Sequence, residues 1–129
     1  MNPSKEYLMI LRNTDWDQDL SADEVSGLVE RYTKWIEHMQ AIGKVKGGRP
    51  LLPGGRVISG KGDNISDGPF IESKESIGGY IVISASGYDE AVEIAKEFPP
   101  VQLGVGVELR ELTDVCPVSQ RLEKRLAEA

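Results

Sequence analysis

The apolar positions of the chain group into short runs that predict strands. In residues 6–12 (EYLMILR) and 79–85 (GYIVISA), both the odd and the even positions carry apolar residues. This pattern is typical of strands that are buried on both faces. Residues 101–112 alternate instead between apolar positions and polar or glycine positions, which predicts a half-buried strand. Shorter strands are predicted around Leu51–Leu52 and around Val57–Ile58.

Two longer stretches have apolar residues at three- and four-residue spacing. Residues 21–43 and 86–100 are therefore predicted to form amphipathic helices, each with one apolar face. The first helix starts with a capping box, in which Ser21 and Glu24 each satisfy a free backbone N–H of the other.

The C-terminal half adds a second capping signal and a terminal helix. Ser86 and Asp89 form the signal that is predicted to start the second helix. After the last strand, residues 113–129 form a C-terminal tail that contains a short predicted helix. This helix has few apolar residues and needs another surface to pack on. The residues predicted to face inward are Val118, Leu122 and Leu126.

The order of these elements predicts the fold class. Within a single domain of residues 1–129, the order strand, helix, strands, strand, helix, strand indicates an α+β fold, a ferredoxin-like split βαβ sandwich. Two helices cover one face of such a sheet, yet strands 6–12 and 79–85 are apolar on both faces. A second sheet packed face to face is the simplest cover, which predicts a homodimer through the open sheet face.

Composition and charge narrow the range of partners. The chain has 129 residues and a net charge of −6 without a basic cluster, so nucleic acid is not expected as a partner. Its N-terminal apolar run is too short for a signal peptide or a membrane span, which predicts a cytoplasmic protein without a membrane partner. With one cysteine and one histidine, no internal disulfide, metal site or cofactor is expected. Cys116 lacks basic neighbours that would lower its pKa, and it is expected to be an inert or dimer-facing thiol.

The sequence Asp67-Gly68-Pro69-Phe70 is the most distinctive motif of the chain. It is followed by E-x-K-E-x-x-G-G-Y at 72–80 and preceded by Gly-Gly-Arg-Pro-Leu at 47–51. On these residues the chain resembles the YCII-related family, in its DGPF-motif branch, over residues 5–112. The resemblance implies a dimeric ferredoxin-like α/β barrel but no particular reaction. Some members are encoded beside extracytoplasmic-function sigma factors, so it also allows a sigma-factor-associated role.

In the wider family, a His–Asp pair has been suggested as the catalytic unit, with the histidine in the first helix. In this chain that histidine would fall near Thr33, where none is present. His38 lies on a different face of the predicted helix. The resemblance therefore does not transfer a His–Asp mechanism to this chain.

Asp67 is the candidate catalytic residue, with two interpretations. Aspartate before glycine and proline is typical of a tight turn, in which the carboxylate accepts backbone N–H bonds. The same carboxylate at the mouth of a cleft is suited to act as a general base. Both interpretations stay open on the sequence.

Candidate ligand-binding residues are two arginines and several aromatic residues. Arg49 and Arg56 flank the Gly/Pro-rich turns and are suited to bind an anionic group. Trp16 lies in an acidic loop, where a core tryptophan is hard to justify, and is expected to cover a pocket or contact the partner subunit. Aromatic residues at helical or strand spacing usually belong to the core. The remaining aromatic candidates are therefore expected either to pack in the core or to contact a ligand: Trp35, Phe70, Tyr80, Tyr7 and Tyr32.

Three functions remain open. The first is a non-catalytic dimer that binds a small molecule or regulates another protein. The second is a small dimeric enzyme that uses Asp67 as acid or base on a small anionic substrate. The third, by analogy of fold alone, is a cofactor-independent monooxygenase or isomerase. The missing His–Asp pair favours the first.

Overall fold

The computed structural model describes residues 4–12, 15–67 and 77–129, with the backbone alone at 66 and 67. Within these ranges the helices are α1 (Ala22–Ala41), α2 (Tyr88–Glu97) and α3 (Pro117–Glu128). The strands are β1 (Lys5–Arg12), β2 (Val45–Pro50), β3 (Arg56–Ser59), β4 (Asn64–Asp67), β5 (Ile77–Ala85) and β6 (Gly106–Glu111). Short 3₁₀ turns occupy Gly60–Gly62 and Pro99–Leu103.

Four strands form one antiparallel sheet in the order β2-β5-β1-β6. Together with the helices, this sheet makes an α+β fold that is compatible with the ferredoxin-like arrangement, so the predicted fold class is confirmed at that level. Strands β3 and β4 pair with each other in a separate two-stranded sheet. This small sheet is inserted in the chain between β2 and β5.

The core lies between the sheet and helices α1 and α2. Because side chains alternate along β1 and β5, Tyr7, Met9 and Ile83 point to this side and are completely buried. Leu8 and Val82, opposite each other in the β1–β5 ladder, lie on the other face and are half-buried. Both strands are apolar on both faces, as predicted, but in the single chain the helices cover only one face. The helices contribute Leu28, Met39, Ala91, Ile94 and Ala95 to the core.

Helix α1 begins as its sequence predicts. Ser21 Oγ accepts a hydrogen bond from the Glu24 N–H at 3.1 Å, and Glu24 Oε1 accepts one from the Ser21 N–H at 3.0 Å. The predicted capping box is therefore confirmed. The hydrogen bond from the Ser21 backbone is the main reason that the pKa of Glu24 is lowered. After the helix, Gly43 adopts a φ of 79°, the left-handed conformation that glycine permits.

Helix α2 begins differently from its sequence prediction. Its N-cap is Gly87, and no side chain caps it, so the predicted Ser86–Asp89 capping signal is wrong. The Glu90 carboxylate instead accepts a hydrogen bond from the Ser86 N–H at 2.7 Å and pairs with Lys44 at 3.2 Å. A partner from the distant segment before β2 therefore stabilises the start of this helix.

Two predicted strands differ from the structure. Leu51–Leu52 are not in a strand, because β2 pairs with β5 only as far as Pro50 opposite Gly79, and both leucines beyond it are exposed. The alternation at 101–112 overlaps the 3₁₀ turn Pro99–Leu103, and the strand itself begins only at Gly106. The chain turns at Gly104, whose φ is 95°, before it enters β6.

Helix α3 forms where the sequence predicts it, but its apolar residues do not face inward. Every residue of α3 is exposed, and the exposed fractions of Val118, Leu122 and Leu126 are 60%, 54% and 65%. The predicted inward orientation is wrong for the single chain, because α1 and α2 already cover the inner face of the sheet. Among the described helices, none is long and apolar enough to cross a membrane.

Candidate functional site

A cavity of about 380 Å³ lies between α1 and the β2–β5 side of the sheet. Helix α1 provides one wall through Tyr32, Ile36 and Gln40, which lie four residues apart and therefore on one face of the helix. The other walls come from the sheet, from the segment before α1 and from the turn after α2. Those residues are Leu11, Trp16, Val45, Gly47, Gly48, Arg49, Pro50, Gly78, Tyr80, Ile81, Phe98, Pro100 and Val105.

Strands β2 and β5 approach each other closely at two glycines of the cavity wall. Gly48 has a φ of 156°, and a Cβ there would lie 2.4 Å from the carbonyl oxygen of Tyr80. On the partner strand, a Cβ at Gly79 would lie 2.9 Å from the carbonyl oxygen of Arg49. Neither position accepts a side chain without backbone movement, so the strands approach closely here and β2 presents bare backbone at Gly48.

The structure places four of the predicted ligand-binding residues in the cavity lining, Trp16, Tyr32, Arg49 and Tyr80. Arg49 is opposite Tyr80 in the β2–β5 ladder, and Tyr80 is opposite Ile10 in the β1–β5 ladder. Trp16 is half-buried, whereas Arg49 is exposed at the β2 edge of the sheet. The four residues come from four separate segments of the chain, so their proximity depends on the fold.

The other predicted residues lie elsewhere or outside the described residues. Trp35 does not line the cavity; its ring packs on Phe98 at a centroid distance of 5.3 Å, and its buried Nε1 has no hydrogen-bond partner among the described residues. Arg56 begins β3 and donates to the Gly55 carbonyl oxygen at 2.9 Å. Asp67 ends β4, and its side chain lies outside what the structure describes, as does all of Phe70.

Sequence reasoning missed several cavity residues. Ile36 and Gln40 were recoverable, because they continue the four-residue spacing that starts at Tyr32. Phe98, Pro100 and Val105 gave no comparable signal, since they reach the cavity through the turn between α2 and β6.

The described lining of the cavity contains few ionisable groups. Arg49 is its one charged residue and Gln40 its one amide, and the lining includes no carboxylate, imidazole, thiol or lysine among the residues described. The lining also includes Tyr32 and Tyr80, and tyrosine is one of the side chains that can act as a general acid or base. His38 is exposed in the last turn of α1 and does not line the cavity.

The groups with shifted pKa values lie outside the cavity lining. Glu108 accepts hydrogen bonds from Arg12 at 2.7 Å and from Arg110 at 3.2 Å, and these bonds lower its pKa. Burial raises the pKa of Tyr7, assisted by Glu111, which accepts a hydrogen bond from its hydroxyl at 3.4 Å. The Arg12–Glu108 ion pair joins β1 to β6, whereas Arg110 lies on β6 itself, two residues from Glu108.

Cys116 is an exposed thiol at the N-cap of α3. Backbone N–H groups of Ser119 and Val118 near its sulfur lower its pKa. Sequence reasoning considered only basic neighbours and missed this effect of a helix N-terminus. No group of three or more His, Cys, Asp or Glu residues in the described part of the chain is placed to hold a metal ion.

The chain is similar to a known protein family in sequence and to a solved structure in fold. The sequence matches the family model of the YCII-related domain over residues 6–115. No curated protein matches it significantly. Among solved structures, the chain is similar to the 5-chloro-2-hydroxyhydroquinone dehydrochlorinase of Burkholderia phenoliruptrix in complex with 2,5-dihydroxybenzoquinone. The TM-score is 0.50 and the identity 14%, over 84% of this chain and 93% of that chain. At this identity, the similarity concerns the fold alone.

Proposed function

The chain belongs to the YCII-related family, and we propose that within this family it binds a small molecule without catalysing a reaction on it. The observation that carries this proposal is the composition of the cavity, whose described lining is apolar and aromatic with a single cation. Its volume of about 380 Å³ lies in the range of about 300–1,000 Å³ that is usual for ligand sites. The D-G-P-F sequence at 67–70 supports assignment to the DGPF-motif branch.

A substitution that fills the cavity tests the binding role. Ile36 lines the cavity from α1 and is half-buried, so Ile36→Trp places a bulky ring system in the space that a ligand would occupy. Val29 lies on the same helix, is 37% exposed and is not in the cavity lining, so Val29→Trp is the matched control. A panel of small aromatic and aliphatic compounds is screened by thermal shift against all three proteins.

We expect compounds that raise the melting temperature of the wild type and of Val29→Trp but leave Ile36→Trp unchanged. Stabilisation of Ile36→Trp by the same compounds would place the binding site elsewhere. Absence of any stabilising compound from the panel would count against a binding role.

The proposed assembly is a homodimer through the open sheet face, as in a dimeric α/β barrel. Leu8, Ile10 and Val82 lie on the sheet face opposite the helices and are half-buried in the single chain. The inner face cannot take a partner, because α1 and α2 cover it. A second copy of the chain has the same apolar sheet face, and the two faces can pack on each other about a two-fold axis.

The alternative function is an enzyme that uses Asp67 as acid or base on a small anionic substrate. The observation in its favour is that Asp67 lies directly opposite Arg56 in the β3–β4 ladder, so a carboxylate and a guanidinium come from neighbouring positions. Asp67→Asn keeps the turn-forming side chain and removes the charge. Unchanged stability with loss of turnover of a bound compound would favour the enzyme; loss of stability with intact binding would favour a structural role.

A further inference from the structure

Helix α3 is amphipathic, yet its apolar side is not packed against the described part of its own chain. Val118, Leu122 and Leu126 are spaced by four residues and therefore form one stripe along the helix. All three are more than half exposed, and α3 makes no extensive contact with any other described helix or strand. A helix of 12 residues is only marginally stable in water unless its apolar side is packed. The stripe therefore needs a surface that the described chain does not provide.

The segment that leads into α3 starts on the open face of the sheet. The Leu112 N–H donates to the Glu6 carbonyl oxygen at 2.9 Å, which continues the β1–β6 ladder by one pair beyond Tyr7 and Glu111. Tyr7 is buried on the inner face, so its neighbour Glu6 faces the open side, as does Leu8. Because directly opposite residues share a face, Leu112 lies on the open side as well.

The path from the open face to α3 is short. Five Cα–Cα steps lead from Leu112 to Pro117, the first residue of α3, and they span at most about 18 Å. Thr113 Oγ1 accepts a hydrogen bond from the Val115 N–H at 3.1 Å and donates one to the Val115 carbonyl oxygen at 3.3 Å, so this path turns. A second sheet packed on the open face lies about 10 Å from the first. Helix α3 therefore starts within reach of a second copy bound there.

The open face by itself is small for a stable interface. Four strands at a spacing of about 4.8 Å and a length of about 20 Å cover roughly 400 Å², about half of the roughly 800 Å² per partner in a standard interface. A helix of 12 residues is about 18 Å long and about 10 Å wide. One side of α3 and the surface beneath the partner's α3 therefore add roughly 360 Å² per chain. The sheet face and α3 together reach the area that a stable dimer needs.

The charge of α3 suits a second copy of this chain as its partner. Residues 117–129 carry three cationic and two anionic side chains, a net charge of +1. The whole chain carries −6, so the other 116 residues carry −7. Arg121 and Arg125 each precede a leucine of the stripe and lie along one side of it. An acidic second copy attracts this helix, whereas an anionic membrane repels the remainder of the chain.

We propose that α3 is an arm that packs its apolar stripe on a second copy of this chain when the two open sheet faces meet. Each copy provides one arm and receives the other, as two-fold symmetry requires. This inference rests on the proposed homodimer and adds the helix that completes its interface.

Two substitutions that add the same charge on opposite sides of α3 test the arm. Leu122→Glu places a carboxylate in the middle of the stripe. Gln120→Glu adds the same charge on the opposite side of the helix and is the matched control. Both residues are exposed in the single chain, so neither change removes a buried contact within the described chain. Analytical ultracentrifugation measures the dimer dissociation constant of both variants and the wild type, and circular dichroism checks their folding.

We expect Leu122→Glu to raise the dissociation constant at least about tenfold, because its carboxylate is buried without a partner in the dimer. Gln120→Glu should stay within about twofold of the wild type, as is usual for an exposed position. Equal dissociation constants for Leu122→Glu and the wild type would overturn the arm and leave the dimer in place. A monomeric wild type at micromolar concentration would overturn the arm and the dimer together.

A photochemical cross-link identifies the chain that α3 contacts. Cys116 is the only cysteine of the sequence, so the double variant Cys116→Ser, Leu126→Cys carries one thiol, on the stripe, for a benzophenone maleimide. The labelled protein is mixed with isotopically heavy wild type, and the cross-linked peptides are analysed by mass spectrometry. We expect links from the light α3 to heavy peptides, and few from the same label at Gln120→Cys. Links confined to light peptides of the same chain would overturn the proposal.

Discussion

The two faces of the four-stranded sheet are both apolar, but only one is covered. On the inner face, Tyr7, Met9 and Ile83 are completely buried beneath α1 and α2. On the open face, Leu8 and Val82 stay half-buried in the single chain, beside the ion pair of Arg12 and Glu108. An apolar position in a strand therefore predicts that the residue is buried, but it does not identify the element that buries it. Four predictions test how far the two faces differ.

The largest expected difference is in stability, between two neighbouring residues of β5. Ile83 is fully buried on the inner face, so Ile83→Ala should lower the free energy of unfolding by about 2–5 kcal/mol. Val82 is half-buried on the open face, and Val82→Ala should cost less than about 1 kcal/mol in the monomer. Urea denaturation at low protein concentration measures both. Equal losses would show that the faces are equally covered.

The second prediction concerns assembly. If the open face is the dimer interface, Val82→Glu buries an unpaired charge there, which costs several kcal/mol, and the dimer should dissociate at micromolar concentration. Multi-angle light scattering should then report the mass of one chain, 14.2 kDa. Val92→Glu, on the outer side of α2 and 38% exposed, is the control and should stay dimeric. A monomeric wild type at micromolar concentration would refute the dimer.

The third prediction is a pH dependence on the open face. Hydrogen bonds from Arg12 and Arg110 lower the pKa of Glu108 in the folded protein. A lowered folded-state pKa contributes stability above the unfolded pKa, and this contribution is lost as the pH falls through the folded pKa. The wild type should therefore be more stable than Glu108→Gln at pH 7, and the difference should shrink in acid. A pH-independent difference would mean that the contribution is not electrostatic.

The smallest expected effect concerns Cys116, at the start of the uncovered helix α3. Because backbone N–H groups lower its pKa, the thiol should be alkylated by iodoacetamide at a lower pH than the same cysteine in urea-unfolded protein. The rate is measured across pH 6 to 10, where thiols of about pKa 8.5 titrate. If α3 is covered in the assembly, alkylation should also slow as protein concentration rises. Identical pH profiles for folded and unfolded protein would exclude an effect of the helix N-terminus.

Much of the fold could be predicted from local sequence. The capping box of Ser21 and Glu24 and the doubly apolar β1 are local patterns, and both agree with the structure. The motif that begins at Asp67 predicted the YCII-related family, which the family match confirms. Predictions that depend on a distant partner were less accurate. The N-cap of α2 is Gly87 without a side-chain cap, and Glu90 in its first turn pairs with Lys44 from the segment before β2.

The candidate site was predicted only in part, for the same reason. Four of its residues were recognised singly by residue type, and the sequence offered no way to see that they line one cavity: Trp16, Tyr32, Arg49 and Tyr80. Trp35 was predicted on the same grounds. Its ring packs on Phe98, but Trp35 itself is not part of the cavity lining. The rotation of α1 on the sheet decides which of its aromatic residues reaches the cavity, and that rotation depends on packing.

The sequence by itself determined the family, the fold class, the positions of α1 and α3 and the apolar character of both sheet faces. These properties depend on residue types and on their spacing within one element, because a helix repeats every 3.6 residues and a strand every two. Only the tertiary structure decided which sheet face the helices cover, that α3 stays exposed in the single chain, and which residues line one cavity. These depend on contacts between residues far apart in the chain, whose geometry no local pattern contains.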